Sequence, residues 1–366
     1  MTSSPIRLAV DVGPLYGHRT GVGMATAGMV TALGERSDVA VEPYLVSFRS
    51  SPRPGHRRLP VPGIVASQVW SRWDRPSGDR WLGSADVVHG TNYVAPPSGR
   101  PTVVSVYDCW FLRHPELATP IVRRAGATLR RRVAAGAWVH ASSEATAVHV
   151  RDLLGTDRVE TVHLGVPASA SSEETEALPH HLVGAPFVVA IGTEERRKDL
   201  PTLVAAFEQL AGAEHELLLV LAGAPGDQSA SLDDAISRLP ASIRARVHRL
   251  GVVDEPSKRW LLRHASVLAY PSLDEGFGFP ILEAQAAGTP VVASDVGAVA
   301  EIAGDGARLV RDRSTGTFAD ELSRAVHDTA LRLSLIAAGH ENLARYSWSS
   351  TADALVELYR RAVGEA

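Results

Sequence analysis

The stretch Tyr270-Pro-Ser-Leu-Asp-Glu-Gly-Phe-Gly-Phe-Pro-Ile-Leu-Glu283 sets two carboxylates, Glu275 and Glu283, eight residues apart around a Gly-Phe-Gly turn. A strand is predicted to end at Tyr270 and a helix to begin near Pro280, because proline suits the first turn of a helix. Gly276 and Gly278 let the backbone approach a ligand and aim N–H groups at it, at the positive end of the helix dipole. With Glu275 in the turn and Glu283 in the helix's first turn, the two carboxylates could reach two hydroxyl-bearing parts of one ligand. The blander assignment makes Glu283 a first-turn carboxylate favoured by the dipole alone.

A second stretch, Ile191-Gly-Thr-Glu-Glu-Arg-Arg-Lys-Asp-Leu200, also follows a predicted strand, and Asp199 with Pro201 marks a helix start. Arg197 and Lys198 thus fall in the loop at the carboxyl end of a parallel strand, where open α/β sheets bind ligands. A forked guanidinium beside a compact ammonium suits a diphosphate. The alternative is a solvated charge cluster neutralised by Glu194 and Glu195. Only Lys198 and Lys258 are lysines, against 35 arginines, so a lysine in such a place carries weight.

A third, weaker signal is the turn Asp11-Val-Gly-Pro-Leu-Tyr-Gly-His-Arg-Thr-Gly-Val-Gly23. Its Gly-Val-Gly precedes a helix predicted over Met24–Leu33, so its N–H groups could meet an anion. It is not a dinucleotide fingerprint, since Thr26 stands at the third glycine position. Tyr107-Asp108-Cys109 ends a predicted strand, where Asp108 serves either a site or the capping of a loop. Cys109 reads as a small, partly buried hydrophobe. Arg123, Arg124, Arg130, Arg131 and Arg132 lie on one helical stretch, Arg123–Val133, and a solvated face is favoured over an anionic membrane contact.

These residues need a scaffold of alternating strands and helices. Strands are predicted at Ile6–Val12, Val41–Val46, Asp86–His89, Thr102–Val106, Trp138–Ser142 and Val159–His163. A second series runs Phe187–Ile191, Glu216–Ala222, Val247–Leu250, Ser266–Tyr270, Pro290–Ser294 and Ala307–Val310. The alternation indicates α/β architecture with parallel sheets: two Rossmann-like, doubly wound domains facing each other across a cleft. The Ser- and Glu-rich Ala168–His181 reads as the linker, and proline-rich Ser50–Gly63 as a surface loop. The length of 366 residues accommodates two domains.

The net charge of −4 argues against nucleic acid as the main partner. The single cysteine points to a reducing compartment. The N-terminal residues lack the apolar core of a signal peptide, so a cytoplasmic protein is expected, with peripheral attachment to the inner membrane face left open. The sequence holds no Asp-x-Asp, His-Glu-x-x-His, P-loop or Gly-x-Ser-x-Gly motif, which disfavours metal-centred, NTPase and serine-hydrolase mechanisms.

Taken together, the chain resembles the family 4 glycosyltransferases (glycosyl transferases group 1) of GT-B fold. The resemblance rests on Arg19-Thr20-Gly21-Val22-Gly23, His89-Gly-Thr-Asn92, Tyr107-Asp108, Ser142-Ser143, Arg197-Lys198, Glu275-Gly-Phe-Gly-Phe-Pro280 with Glu283, and Ala287-Gly-Thr-Pro-Val-Val292. It implies retaining, metal-independent transfer of a hexose of mannose or glucose type from a UDP- or GDP-linked sugar to a glycan or lipid-linked acceptor, with no further cofactor. Arg197 and Lys198 would stabilise the diphosphate, aided by the loop residues Gly192 and Thr193. Glu275 would hold the donor sugar. Gly276, Phe277, Gly278, Phe279 and Leu282 would surround it, and Glu283 would grip the ribose. Val252 and Val253 would meet the nucleobase, Gly21, Val22 and Gly23 would approach from the other domain, and Tyr107 and Asp108 would complete the catalytic set. The implied domains are 1–170 on the acceptor side, a linker 171–182, 183–346 for the nucleotide sugar, and a C-terminal helix, 347–366, packing back on the first domain.

Two departures stand out. Relatives often carry His-Asp where this chain has Tyr107-Asp108, and an arginine where it has Thr193; a different donor preference is the expectation. The rival readings are a nucleotide-sugar 2-epimerase of the same fold and a non-catalytic nucleotide-sugar-binding subunit.

Overall fold

A computed structural model describes residues 4–16, 20–48, 51–166 and 182–364. The linker stretch and Arg19 of the first glycine-rich turn lie outside the described residues. The chain divides into two compact units, Met1–Pro167 with Tyr346–Ala366, and Ala168–Arg345.

The first unit is built on β1 (Ile6–Asp11), β2 (Val39–Val46), β3 (Arg57–Leu59), β4 (Val87–Gly90), β5 (Thr102–Val106), β6 (Trp138–Ala141) and β7 (Val159–Thr161). All neighbours are parallel, in the order β3-β2-β1-β4-β5-β6-β7. Leu8 lies opposite Val41 and Val10 opposite His89. Both faces of the central strands are covered by helices, so β4, β5 and β6 are buried at every position. That accounts for their nearly continuous apolar runs.

The helix Trp348–Gly364 belongs to this unit, although it follows the second unit in sequence. Its Tyr359 begins a buried chain of hydrogen bonds. The Tyr359 hydroxyl meets His89 Nδ1 at 2.7 Å, and His89 Nε2 meets Ser105 Oγ at 2.8 Å. Ser105 Oγ then meets His140 Nδ1 at 2.8 Å, and His140 Nε2 reaches the Val162 carbonyl at 3.0 Å. Burial pushes His140 down to about 4 and His89 well below its usual value, so both rings are neutral near pH 7. His89 is thereby a structural link between strands and helix. At the other end of that helix, Trp348 lies over Gly28, where an added Cβ would sit 2.2 Å from its ring. Gly28→Ala is therefore expected to destabilise the protein by about 1–3 kcal/mol through overpacking. Thermal melts check this; an unchanged midpoint would mean that Trp348 does not dock there.

Two expectations change in this unit. The first glycine-rich turn is not followed by the helix but begins it: the helix runs Gly21–Gly34 with Thr20 as N-cap. Small residues fit the tight first turn, so Gly21, Val22 and Gly23 supply its N–H groups directly. The segment Ser50–Gly63 is more than a loop, because Arg57–Leu59 adds edge strand β3 and Leu59 is fully buried. The prolines obscured a strand only three residues long.

The second unit is built on β8 (Phe187–Ile191), β9 (Leu218–Ala222), β10 (Val247–Gly251), β11 (Val267–Tyr270), β12 (Val291–Ser294) and β13 (Arg308–Val310). Again all neighbours are parallel, in the order β10-β9-β8-β11-β12-β13. Leu182, the last residue of the expected linker, packs into this unit's core with Phe187, Leu268 and Ile281. The strand order reverses direction between β8 and β11. Such a switch point opens a crevice at the carboxyl ends of the two strands, because their following helices go to opposite faces.

Candidate functional site

The loop after β8 and the turn after β11 meet at that switch point. The chain leaving Ile191 passes through Gly192 and Thr193, makes a single tight turn over Arg196–Lys198, and enters the helix Leu200–Ala213. The chain leaving Tyr270 passes through Ser272 to the Gly-Phe-Gly turn and the helix Phe279–Ala287. Gly278 adopts φ +102°, a conformation that a side chain would strain, and so redirects the backbone into the helix. Phe277 and Phe279 are buried edge to face, 5.1 Å apart, which anchors the turn from below.

Glu275 is the centre of the cluster. Its Oε2 accepts from Arg197 at 2.7 Å, and its Oε1 accepts from Lys198 Nζ at 2.5 Å and from Ser272 Oγ at 2.8 Å. Lys198 Nζ also donates to the Tyr270 hydroxyl at 3.0 Å, and Arg197 to the Asp274 carbonyl at 3.1 Å. The Glu275 side chain is only 6% exposed. Burial pushes its carboxyl up, but Arg197 and Lys198 more than offset this and hold it down to about 2. For Lys198, burial outweighs the attraction of Glu275 and lowers its affinity for a proton. Arg197 and Lys198 outnumber the buried carboxylate between them, with only the half-exposed Glu195 as a further counter-charge 3.6 Å from Arg197, an arrangement that can engage an anionic ligand. Gly297 closes the cluster's far side: at φ +50°, its Cβ would lie 2.3 Å from the Glu275 carbonyl. The Ala298 N–H donates to that same carbonyl at 2.8 Å.

Glu283 lies apart from this trio in partners. The helix begins at Phe279, which places Glu283 in the second turn rather than the first, so the helix dipole does not explain it. Its partner is Lys258 from the helix Glu255–His264, Nζ to Oε1 at 2.7 Å. Each of the two lysines thus pairs with one of the two motif glutamates. The scarcity of lysine was the available signal for Lys258, but nothing in local spacing ties residue 258 to residue 283. Ser272 and Tyr270 were likewise visible only as neighbours of the motif.

The remaining predicted residues are placed as follows. Val252 stands 52% exposed just beyond β10, while Val253 packs partly against the core. Leu282 is fully buried on the inner face of its helix. Glu194 does not neutralise Arg197 and Lys198: it is buried against Arg249, at 2.6 Å, and accepts from Ser229. Glu195, more exposed, lies 3.6 Å from Arg197.

In the first unit, the Tyr107 hydroxyl is buried and donates to the Thr91 carbonyl at 2.8 Å, and burial raises its pKa. As placed, that O–H proton is committed to the backbone. Asp108 accepts from the Trp110 N–H at 3.0 Å and from the Tyr93 hydroxyl at 3.3 Å, the loop-capping role. Cys109 is buried in the core. The arginine-rich helix, Pro120–Ala134, is not a uniformly solvated face. Arg132 is buried, and both it and Arg131 bind Asp74. Arg130 donates to the Leu153 carbonyl and Arg123 to that of Ala118.

Residues 185–328 match the family described as glycosyl transferases group 1. A D-inositol 3-phosphate glycosyltransferase of Mycolicibacterium paratuberculosis is 33% identical over 219 residues, which cover 57% of this chain. They cover 48% of that relative, so the chain spans about half the length of the curated relatives it matches. A sucrose-phosphate synthase from Thermosynechococcus elongatus superimposes with a TM-score of 0.75 at 17% identity, covering 99% of this chain and 100% of that one. Anabaena HepE in complex with UDP and glucose gives 0.69 at 17% identity, covering 97% and 100%. Among the described residues no helix is long and apolar enough to cross a membrane.

Proposed function

We propose that this chain, whose residues 185–328 match the glycosyl transferases group 1, transfers a hexose, of glucose or mannose type, from a UDP- or GDP-linked donor to a glycan or lipid-linked acceptor, with retention. The observation that carries this reading is the buried trio Arg197, Lys198 and Glu275 at the β8/β11 switch point. The HepE complex, with its UDP and glucose, supports a nucleotide sugar as the ligand class.

In the reaction, the bond between the anomeric carbon and the diphosphate oxygen breaks, and its electron pair stays on the phosphate. The acceptor hydroxyl oxygen bonds to the same carbon, and the hydroxyl proton passes to the departing diphosphate. Negative charge therefore grows on the phosphate while positive charge grows on the sugar ring. In this reading Arg197 and Lys198 are fixed cations for the first, and the Glu275 carboxylate, ionised at neutral pH, is the fixed negative charge that opposes the second. Such preorganised charges stabilise the transition state without reorganisation. Arg197 and Lys198 give the leaving group cationic partners from the protein itself, and metal-independent transfer is part of this proposal. Glu283 accepts from the ribose hydroxyls, and the exposed Val252 offers an apolar contact to the base.

A thermal-shift screen of UDP, GDP, ADP and TDP with their hexose conjugates tests this. A ligand at one hundred times its Kd stabilises by about 2.7 kcal/mol, so one nucleotide series is expected to raise the melting midpoint clearly above the others. Donor consumption that depends on an added acceptor then separates transfer from 2-epimerisation. If no series shifts the midpoint, the proposed function is wrong.

A further inference from the structure

Glu283 is a carboxylate with an unusual setting. Its side chain is 9% exposed, and among the described residues Lys258 is the partner of Oε1 while Oε2 has none. Lys258 is itself 11% exposed, and Glu255 approaches the same ammonium at 3.0 Å. Burial raises the Glu283 carboxyl, and the ammonium works against that rise. A carboxylate accepts from two vicinal hydroxyls best when it is ionised and its plane is held. A compact ammonium on one oxygen does both and leaves the other oxygen open. A guanidinium fork would tend to engage both oxygens at once. In a chain with 35 arginines and two lysines, this position carries a lysine.

We propose that Lys258 is a positioning residue for nucleoside recognition: by fixing Glu283 through one oxygen, it makes the carboxylate discriminate a ribonucleoside diphosphate from its deoxy counterpart. The inference rests on the reading that the second unit binds a nucleoside diphosphate. It adds a residue from the helix after β10, outside the Glu275–Glu283 stretch, and assigns it to the sugar of the nucleotide rather than to the transferred hexose. Glu255, exposed and on the same helix, shares the ammonium but lacks the burial to substitute for Glu283.

The test compares the affinity of UDP with 2′-deoxy-UDP, and of GDP with 2′-deoxy-GDP, by calorimetry on the full chain. The wild type is expected to prefer the ribonucleotide by about tenfold, the size of a hydrogen bond to a charged group. Lys258→Met is expected to reduce that ratio to near one by weakening the ribonucleotide alone. In turnover, donor KM rises about tenfold and kcat changes little. Glu283→Gln is expected to give the same ratio, and the double variant no further loss, because the two side chains act as one unit. Lys258→Gln serves the same comparison where Lys258→Met does not fold. A folded Lys258 variant with the wild-type ratio overturns the role of Lys258 while leaving the donor site intact. A wild type that binds neither nucleotide series overturns both.

Discussion

Lys198→Ala is expected to lower the kcat of the proposed sugar transfer by about 10²–10³-fold, the usual loss on removing one preorganised charge from a transition state. The protein should nonetheless melt close to the wild type. Glu275, which Lys198 contacts, keeps its bonds to Arg197 at 2.7 Å and Ser272 at 2.8 Å, so no charge is left unpaired by the change. The Tyr270 hydroxyl loses a donor but retains its packing in the second unit's core. Lys198→Arg is not a conservative rescue, because the side chain is buried beneath Gly192, whose Cβ would already lie 3.3 Å from Lys198 Cε. Steady-state kinetics with the donor chosen by the thermal screen measure the effect. Wild-type turnover in a folded Lys198→Ala protein would remove this residue from the chemistry.

Glu275→Gln has a different expected signature. It leaves Arg197 and Lys198 side by side in a buried crevice with their shared counter-charge gone. Breaking a buried pair this way typically costs about 3 kcal/mol or more, on the order of 10 °C in melting midpoint for a unit of this size. The diphosphate would then supply the missing negative charge. Affinity for the nucleoside diphosphate should therefore rise in Glu275→Gln even as transfer is abolished, and the ligand should restore much of the lost stability. The acid limb changes too. With a carboxyl held at about 2 against an ordinary 4.5, Glu275 contributes stability above pH 4.5 that is lost as the pH falls through 2. The variant lacks that contribution, so its melting midpoint should depend less on pH across this window. Equal stability together with unchanged nucleotide affinity would contradict the assigned geometry.

Much of the scaffold could be read in advance because parallel, doubly covered strands write themselves as short apolar runs. Thr102–Val106 and Phe187–Ile191 were expected at those bounds and lie there. Others differ by a residue or two at an end, where frayed ladders give no compositional signal. Arg57–Leu59 has no sequence signature because a three-residue edge strand among prolines has no period to detect. The helix begins at Gly21, three residues before the expected Met24; two glycines at its start look like a turn, although a first turn needs no side chains to form. The arginine-rich helix was expected to face solvent. Asp74, 58 positions before Arg132, recruits two of its arginines, and distant partners of that kind have no sequence signature.

The site divides along the same line. The available groups are legible in the chain alone: a Glu-x7-Glu stretch around Gly-Phe-Gly, an Arg-Lys pair after a strand, and a chain nearly without lysine. Also legible is the position of each group at the carboxyl end of a parallel strand, since local periodicity fixes where strands stop. Which groups meet depends on how the strands and helices are arranged. The order β10-β9-β8-β11 makes β8 and β11 neighbours and brings Glu275 onto Arg197 and Lys198 across 77 intervening steps of chain. Packing of the helix Glu255–His264 beside Phe279–Ala287 set Lys258 against Glu283. The reason is physical: strand order and helix packing follow from the summed burial of whole elements, whereas an ion pair is a consequence of that arrangement and contributes too little to dictate it.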